Sequence, residues 1–176
     1  MAQTIARPTL QVGFLTILQE SNGFLGGYLV TNQWGRPLEF RLSTAVQPNR
    51  IHQILYGDTL SAYLCGELIG KTLVEKCTAT AEFIVTDNAD VLHLRPHVDV
   101  PVLCVGTGVD ASAYICLREQ QGTKPAVLGH AQFPNDRTAA LSFLESIEGG
   151  LDLAEPFSRI REALAEARKM GVTARG

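Results

Sequence analysis

The fold is decided by one stretch, residues 23–76, which reads GFLGGYLVTNQWGRPLEFRLSTAVQPNRIHQILYGDTLSAYLCGELIGKTLVEK. In its first half, apolar runs alternate with turn residues, which is typical of short β-strands. In its second half, leucine and isoleucine recur three and four residues apart, which is typical of an amphipathic helix. The stretch therefore predicts two strands joined by a tight turn, followed by a helical segment.

Two turns predict an antiparallel meander at the start of the chain. The first turn, 21–23, contains an Asn-Gly pair and separates the apolar runs 10–18 and 24–31. Asn-Gly between two apolar runs is the strongest short-range signal for a hairpin. Beyond a second turn at 32–35, apolar and charged residues alternate over 38–42, as in a strand with one solvated face. The two turns therefore predict three strands, each paired with the next.

The helical segment after the meander is predicted from its first residue and its spacing. Pro48 suits the start of a helix, because its φ is fixed and its missing N–H is not needed there. Leu60, Leu64 and Leu68 recur at four-residue intervals, and Gly57 divides a short helix from this longer one. We expect the apolar stripe to lie across one face of the meander.

The second half of the chain predicts further hairpins and a helical end. Strands are expected over 81–86, 91–95, 101–105, 112–117 and 124–131, with a hairpin turn at 106–108. One helix is expected after Pro134 and a last amphipathic helix after the Gly149-Gly150 pair.

Together these elements predict an α+β fold. The sheet is expected to be mostly antiparallel, with the N-terminal three-stranded meander plus later hairpins, helices packed on one side and a helical C-terminus. We assign residues 1–150 to the α+β domain and residues 151–176 to a C-terminal amphipathic helix that packs on the same domain.

The composition narrows the class of protein. Hydrophobic residues make up 45% and charged residues 19% of the chain, which is enough apolar material for a core. The net charge of -3 and the pI of about 5.8 give no basic footprint for a phosphate backbone, so the composition does not favour nucleic acid as a partner. No apolar run approaches the ~20 residues of a membrane span, so no membrane partner is expected.

The location is predicted from the N-terminus and the cysteines. The first residues lack the apolar core and the small-residue cleavage site of a signal peptide. The four cysteines form no CxxC pair, which suits a reducing compartment better than a disulfide scaffold. Both features indicate a cytoplasmic protein.

Two glycine-rich stretches resemble nucleotide-binding motifs but fail in detail, so no cofactor is predicted. The stretch 66–72 resembles a phosphate loop, but three residues separate its glycines where the motif needs four. The stretch 106–111 matches a relaxed dinucleotide fingerprint and follows an apolar strand. The residues after it favour a strand, whereas the motif requires a helix there.

No metal site is predicted either. His93 and His97 have the spacing of a helical metal pair, but Pro96 lies between them in a strand-like sequence and argues against the helix. Cys104 and Cys116 would lie opposite each other in a hairpin, where the usual role of a cysteine is that of a small buried hydrophobe. No local catalytic signature is present elsewhere.

Three residues form a candidate interaction site: Trp34, Arg36 and Tyr56. Trp34 is the only tryptophan and lies in a turn. Aromatic residues and arginine dominate the hot spots of protein interfaces, so these three residues are suited to contact a partner. The alternative is that the Trp34 ring folds back onto Tyr56.

A polar face forms a second candidate site, and its residues are Arg36, Glu39, Arg41, Asn49, Arg50 and His52. Glu39 and Arg41 share the outward face of the third strand, and Arg50 and His52 enter the first helix nearby. Such a cluster can shift a pKa and bind an anion. The alternative is a surface ion-pair face of little energetic value.

These observations lead to three functional hypotheses. The first is a non-enzymatic protein-interaction module, a subunit or adaptor of a cytoplasmic assembly, which binds another protein or a second copy of itself. The alternative is a small-ligand sensor or a hydrolase that uses the polar face. The third is a nucleic-acid accessory protein, whose binding would weaken steeply with salt.

Overall fold

The computed structural model describes residues 9–21, 23–106 and 113–172. Its strands are β1 (Gln11–Glu20), β2 (Gly23–Asn32), β3 (Pro37–Leu42), β4 (Phe83–Thr86), β5 (Val102–Val105), β6 (Tyr114–Arg118) and β7 (Val127–His130). Its α-helices are α1 (Arg50–Tyr56), α2 (Leu60–Ala62), α3 (Lys71–Lys76), α4 (Asp136–Ser146) and α5 (Glu155–Lys169). A 3-10 turn (Gly57–Thr59) and a π-helical segment (Tyr63–Gly70) complete the helical stretch between β3 and β4, and a 3-10 segment (Ala89–His97) follows β4.

The seven strands form one mixed sheet in the order β3-β2-β1-β4-β5-β7-β6. The predicted meander is present, since β2 pairs antiparallel with both β1 and β3. However, β4 pairs parallel with β1, and β5 pairs parallel with β4. The α+β class is confirmed, but the prediction of a mostly antiparallel sheet is wrong, because the connections before β4 and β5 are crossovers and crossovers return the chain in the same direction.

Strand β7 separates β5 from β6, so the hairpin predicted between 101–105 and 112–117 is also wrong. β5 and β6 each pair antiparallel with β7. Two of the three residues of the turn predicted at 106–108, residues 107 and 108, lie outside the described part of the chain. Strands that follow each other in a sequence often pair, but here the antiparallel partner of β5 is β7 and not the next strand, β6.

Helices cover both faces of the sheet, which corrects the prediction that they pack on one side. On β1, Val12 and Phe14 contribute to the core beneath α4 and α5. Leu15 and Ile17 contribute to a second core beneath the π-helical segment and the 3-10 segment. A strand buried on both faces has a continuous apolar sequence, which explains why β1 and β2 lack alternation.

Two adjacent glycines in β2 allow helices to pack tightly on both faces. A Cβ on Gly26 would lie 2.4 Å from Ile69 Cγ2, and a Cβ on Gly27 would lie 2.5 Å from Ile160 Cγ2. Ile69 belongs to the π-helical segment and Ile160 to α5. The close approach that glycine permits in a strand is therefore used once on each face.

The segment predicted as a strand over 91–95 is a 3-10 helix. Its cap is Asn88, whose side chain accepts a hydrogen bond of 3.0 Å from the Asp90 backbone N–H. The buried residues Val91, Leu92 and Leu94 face the second core. A short apolar run fits a buried strand or a buried helical turn equally well, so periodicity alone did not separate the two.

Among the described residues, no helix combines the length and the apolar character that a membrane crossing would require.

Candidate active site

A polar cleft lies at the carboxyl end of β4, beside the middle of the parallel strand β1. The register aligns Leu15 with Thr86, so Thr16 and Asp87 are neighbours just beyond the last pair. The cleft, here called the Asp87 cleft, has a volume of about 300 Å³. It is lined by Thr16, Ile17, Asp87, Asn88, Ala89, Asp90 and Arg161. In sheets with parallel strands, ligands bind at the carboxyl ends of the strands, so this location favours a functional site.

Asp87 is held by two partners from distant parts of the chain. Thr16 Oγ1 donates a hydrogen bond of 2.7 Å to Asp87 Oδ1. Arg161, on α5, forms an ion pair with Asp87 Oδ2. The Thr16 side chain is buried, whereas the guanidinium of Arg161 is partly exposed at the rim. The carboxylate therefore has a fixed orientation, and an arginine stands beside it within reach of solvent.

A second carboxylate, Asp90, enters the Asp87 cleft from the 3-10 segment. Ser61 Oγ donates a hydrogen bond of 2.5 Å to Asp90 Oδ2. The cap formed by Asn88 fixes the backbone on which Asp90 stands, and the Asn88 backbone N–H donates to Thr86 Oγ1 at 3.1 Å. An ionised carboxylate carries about four acceptor sites, so Asp90 keeps acceptor capacity beyond its bond to Ser61.

The buried thiols behind the cleft are not suited to act as nucleophiles. Burial raises the pKa of Cys65 to about 12 and that of Cys104 to about 12. A thiol must lose its proton to react as a nucleophile, so both cysteines stay inert near neutral pH.

A second, larger cleft adjoins the first, and Asp90 lines both. This cleft, here called the tyrosine cleft, has a volume of about 450 Å³. It is lined by Tyr56, Asp58, Thr59, Ala62, Tyr63, Glu67, Asp90, His93 and Tyr114. Its residues come from the helical stretch after β3, from the 3-10 segment and from β6.

His93 and His97, the pair with metal-like spacing in the sequence, contact different residues. The ring of His93 lies 5.8 Å from that of His130 and 6.1 Å from that of Tyr114. His97 Nε2 lies 3.9 Å from Glu67 Oε1 instead. Burial lowers the pKa of His130, and the nearby charges of His93 and Arg95 lower it further. Within residues 9–21, 23–106 and 113–172, no three His, Cys, Asp or Glu side chains are grouped so that they could hold a metal ion.

The candidate interaction residues lie on two separate elements. Trp34 and Arg36 are on the turn between β2 and β3, where the Trp34 side chain is 67% exposed. Tyr56 ends α1 and stacks on Tyr63, with ring centroids 4.4 Å apart. Trp34 therefore does not fold back onto Tyr56, and the role of these residues as an interaction site stays a prediction.

The polar face is only partly assembled. Arg41 Nη2 and Glu39 Oε1 form an ion pair at 2.7 Å on β3. Arg50 and His52 are exposed on α1, and no hydrogen bond or ion pair found among the described residues joins them to Glu39. The use of this face for ligand binding stays a prediction.

Glu39 instead binds backbone groups at the end of α3. Its Oε2 accepts hydrogen bonds from the backbone N–H groups of Thr78 and Ala79, at 2.9 and 2.7 Å, and from the Thr78 hydroxyl. These bonds, that from Ala79 first, lower the pKa of Glu39 to about 2. Glu39 thus fastens the edge strand β3 to the loop after α3.

The sequence analysis missed the residues of the Asp87 cleft. Thr16 was included in the apolar run 10–18 without a role of its own, and no role was given to Asp87, Asn88 or Asp90. Two signals were available: a threonine in the middle of a buried strand, and two acidic residues within the four positions after another buried strand. Neither signal identifies its partner, because Thr16 and Asp87 are separated by 71 positions and Asp87 and Arg161 by 74.

The chain therefore has an α+β fold with a mixed sheet. Helices cover both faces of the sheet, and polar residues follow the parallel strand β4. No family model matches the chain, and no curated protein matches its sequence. Among solved structures, the chain is similar to Endonuclease V from Streptomyces avermitilis, with a TM-score of 0.52 and 14% identity over 93% of this chain and 83% of that chain. This similarity shows that the two proteins share a fold.

Two weaker similarities accompany it. One is to Endonuclease V from Bacillus subtilis, with a TM-score of 0.44 and 12% identity over 69% of this chain and 64% of that chain. The other is to Argonaute from Marinitoga piezophila in complex with guide RNA, with a TM-score of 0.32 and 9% identity over 69% of this chain and 22% of that chain.

The comparison contradicts the leading functional hypothesis. A non-enzymatic interaction module or adaptor was predicted because no local catalytic set was visible in the sequence. The fold is instead that of a solved structure named as an endonuclease, and the alternatives of a hydrolase or a nucleic-acid protein agree better with this finding. The prediction failed because the polar residues that converge at the carboxyl end of β4 are far apart in the chain.

Proposed function

We propose that this chain acts on nucleic acid as a phosphodiester hydrolase and that the Asp87 cleft is its active centre. The observation that carries the proposal is the position of the cleft: two aspartates and an arginine converge at the carboxyl end of the parallel strand β4, in a fold shared with an endonuclease. Phosphoryl transfer depends on positioning and on charge stabilisation, and these side chains supply both.

Each residue of the cleft has a distinct task in the proposed reaction. A water oxygen bonds to phosphorus and the bond from phosphorus to the leaving oxygen breaks. The leaving oxygen takes up a proton from solvent, and a carboxylate accepts one proton of the attacking water. Asp87 or Asp90 accepts this proton. Arg161 contacts the phosphate oxygens, because a guanidinium matches their geometry. Thr16 keeps Asp87 in its orientation through the hydrogen bond to Oδ1.

The donor set of the cleft also suits a divalent cation. Mg²⁺ is commonly held by one or two carboxylates together with substrate phosphates and water, and Asp87 and Asp90 match this description. When bound, such an ion polarises a phosphoryl oxygen as a Lewis acid.

A second candidate function is nucleic-acid binding without cleavage. It is favoured by the contacts of Asp87, whose two oxygens are already engaged by Thr16 and Arg161. In this case the ion pair would be a structural element of the binding surface, and Asp90 would be the only carboxylate of the cleft without a basic partner in it.

The experiment that tests the proposal is a cleavage assay. The purified chain is incubated with labelled single-stranded DNA, double-stranded DNA and RNA, with Mg²⁺ or Mn²⁺, beside its Asp87→Asn variant. We expect cleavage by the native chain and a loss of about a hundredfold or more in the variant, as for removal of a general base. Asp99→Asn, at an exposed position outside the cleft, is the matched control.

The outcomes are distinct. Binding in a gel-shift assay without cleavage under any condition would select the second candidate. Cleavage that persists at the native rate in Asp87→Asn would place the active centre elsewhere. Absence of both binding and cleavage would overturn both candidates.

A further inference from the structure

The tyrosine cleft has a chemical character that the proposed nuclease activity does not use. Its lining contains three carboxylates, those of Asp58, Glu67 and Asp90, and neither lysine nor arginine. The three carboxylates would repel a phosphate group placed here. The cleft therefore is not an extension of the phosphate-binding part of the Asp87 cleft, although Asp90 lines both.

Aromatic side chains form the walls of the tyrosine cleft. The rings of Tyr56 and Tyr63 are stacked, with centroids 4.4 Å apart and planes at 22°. On another wall, the rings of His93 and Tyr114 meet edge to face at 6.1 Å. The faces of such rings carry partial negative charge, which attracts a cation.

The hydroxyls of Tyr56 and Tyr114 keep their protons over the physiological range. The pKa of Tyr56 is raised, first by a hydrogen bond with Tyr63, and the pKa of Tyr114 is raised, first by burial. The negative charge of the cleft therefore comes from its carboxylates, and the rings supply neutral, polarisable walls.

The three carboxylates have different access to a ligand. Glu67 and Asp58 are exposed at the mouth, with Glu67 Oε1 3.9 Å from His97 Nε2. Asp90 lies deeper, where Ser61 holds one of its oxygens. A ligand that enters the cleft thus passes acidic groups at the rim, contacts aromatic walls and ends near a fixed carboxylate.

From this combination we infer that the tyrosine cleft binds a small organic cation, an ammonium or quaternary ammonium compound. Aromatic rings together with carboxylates, in a concave site without lysine or arginine, are the groups that recognise such ions. The inference goes beyond the nuclease activity and does not depend on it, since its carrying residues, Tyr56, Tyr63 and Glu67, are absent from the Asp87 cleft.

The test uses choline and its uncharged analogue 3,3-dimethyl-1-butanol, which has the same shape without the charge. Binding to the full chain is measured by isothermal titration calorimetry at constant ionic strength. We expect saturable binding of choline and at least tenfold weaker binding of the analogue. Equal affinity for the two compounds, or no binding of choline, would overturn the inference.

Three variants within the cleft and one control outside it locate the site. Glu67→Gln removes one exposed charge and should weaken choline binding about threefold or more. Tyr63→Leu should weaken it further, whereas Tyr63→Phe keeps the ring and should bind nearly as the native chain does. Glu148→Gln, an exposed glutamate paired with Lys124 elsewhere, should leave binding unchanged. Choline binding that is insensitive to both Glu67→Gln and Tyr63→Leu would place the ion at another site and contradict the inference.

A nucleoside provides the last comparison. If adenosine bound the cleft more tightly than choline and competed with it, the aromatic walls would serve base stacking instead, and the inference would be wrong. Because cleavage of nucleic acid is measured separately with Asp87→Asn, failure of either proposal leaves the other open to its own test.

Discussion

Thr16 on β1 donates a hydrogen bond of 2.7 Å to Asp87, the residue directly after β4, and the Thr16 side chain is buried. This bond joins the middle of β1 to the residue at the carboxyl end of the parallel strand β4, where the cleft opens. It also leaves the second oxygen of Asp87 to Arg161. The geometry of the proposed active centre therefore depends on a hydroxyl within an otherwise apolar strand.

Replacing Thr16 by valine should weaken both the fold and the activity. The buried hydrogen bond to Asp87 is lost while the shape of the side chain is kept, so we expect a loss of about 1–2 kcal/mol in the free energy of unfolding. Urea unfolding followed by circular dichroism measures this loss, and the cleavage assay measures the effect on activity.

Thr31→Val is the matched control for this prediction. Thr31 is equally buried in a neighbouring strand, but its hydroxyl bonds only the adjacent carbonyl of Asn32. It should leave cleavage and nucleic-acid binding as they are in the native chain. If Thr16→Val left activity unchanged as well, Thr16 would have no part in orienting Asp87.

Replacing Arg161 by glutamine should reduce the affinity for nucleic acid. A guanidinium that contacts one phosphate contributes about one unit to the slope of log affinity against log salt concentration. We therefore expect weaker binding and a slope smaller by about one, measured by fluorescence anisotropy at several salt concentrations. Lys169→Gln, on the same helix but paired with Glu166, is the control. An identical slope in Arg161→Gln and the native chain would argue that Arg161 serves only to hold Asp87.

Replacing Gly27 by alanine should destabilise the fold. The new Cβ would lie 2.5 Å from Ile160 Cγ2, so α5 must shift away from β2. Overpacking of this kind costs about 1–3 kcal/mol, which thermal and urea unfolding can measure. Gly150→Ala is the control, because its Cβ would meet no atom closer than 3.7 Å. A native melting temperature for Gly27→Ala would show that α5 packs less closely on β2 than described.

Glu39 should make the stability of the fold depend on acid pH. Its pKa is lowered from 4.5 to about 2 by hydrogen bonds from Ala79 and Thr78, so the folded state favours the ionised carboxylate. This contribution is fully present above pH 4.5 and is lost as the pH falls towards 2. Glutamine at position 39 cannot ionise. Most of the stability difference between pH 4.5 and pH 2 that Glu39 causes should therefore be missing from the Glu39→Gln variant. Acid titrations of both proteins, followed by circular dichroism, compare them. Identical acid transitions would contradict the role given to Glu39.

The parts of the fold that the sequence predicted are those set by local chemistry. The Asn-Gly pair before Phe24 predicted the first hairpin, and alternation over 38–42 predicted the third strand of the meander. The helical stretch after Pro48 was also expected from its spacing, although its π-helical part was not. There, Gly66 lets the helix approach the His93 backbone, where a Cβ would be only 2.8 Å from the carbonyl carbon.

The candidate site could not be predicted in the same way. Trp34 and Tyr56 were chosen because large aromatics and turns are visible in a sequence. Thr16, Asp87 and Arg161 carry no such signal, since each is an ordinary residue at its own place in the chain. Their significance arises only when β1, β4 and α5 bring them together.

The sequence by itself determined that this protein has an α+β core, a three-stranded meander and amphipathic helical segments, because these features follow from turn residues and from periodicity over a few positions. The tertiary structure decided that the sheet is mixed, that helices cover both of its faces, and that two polar clefts meet at Asp90. Strand order and convergence of side chains depend on pairings between segments some 70 residues apart. Such pairings are selected by the packing of the whole core, to which no single stretch of sequence corresponds.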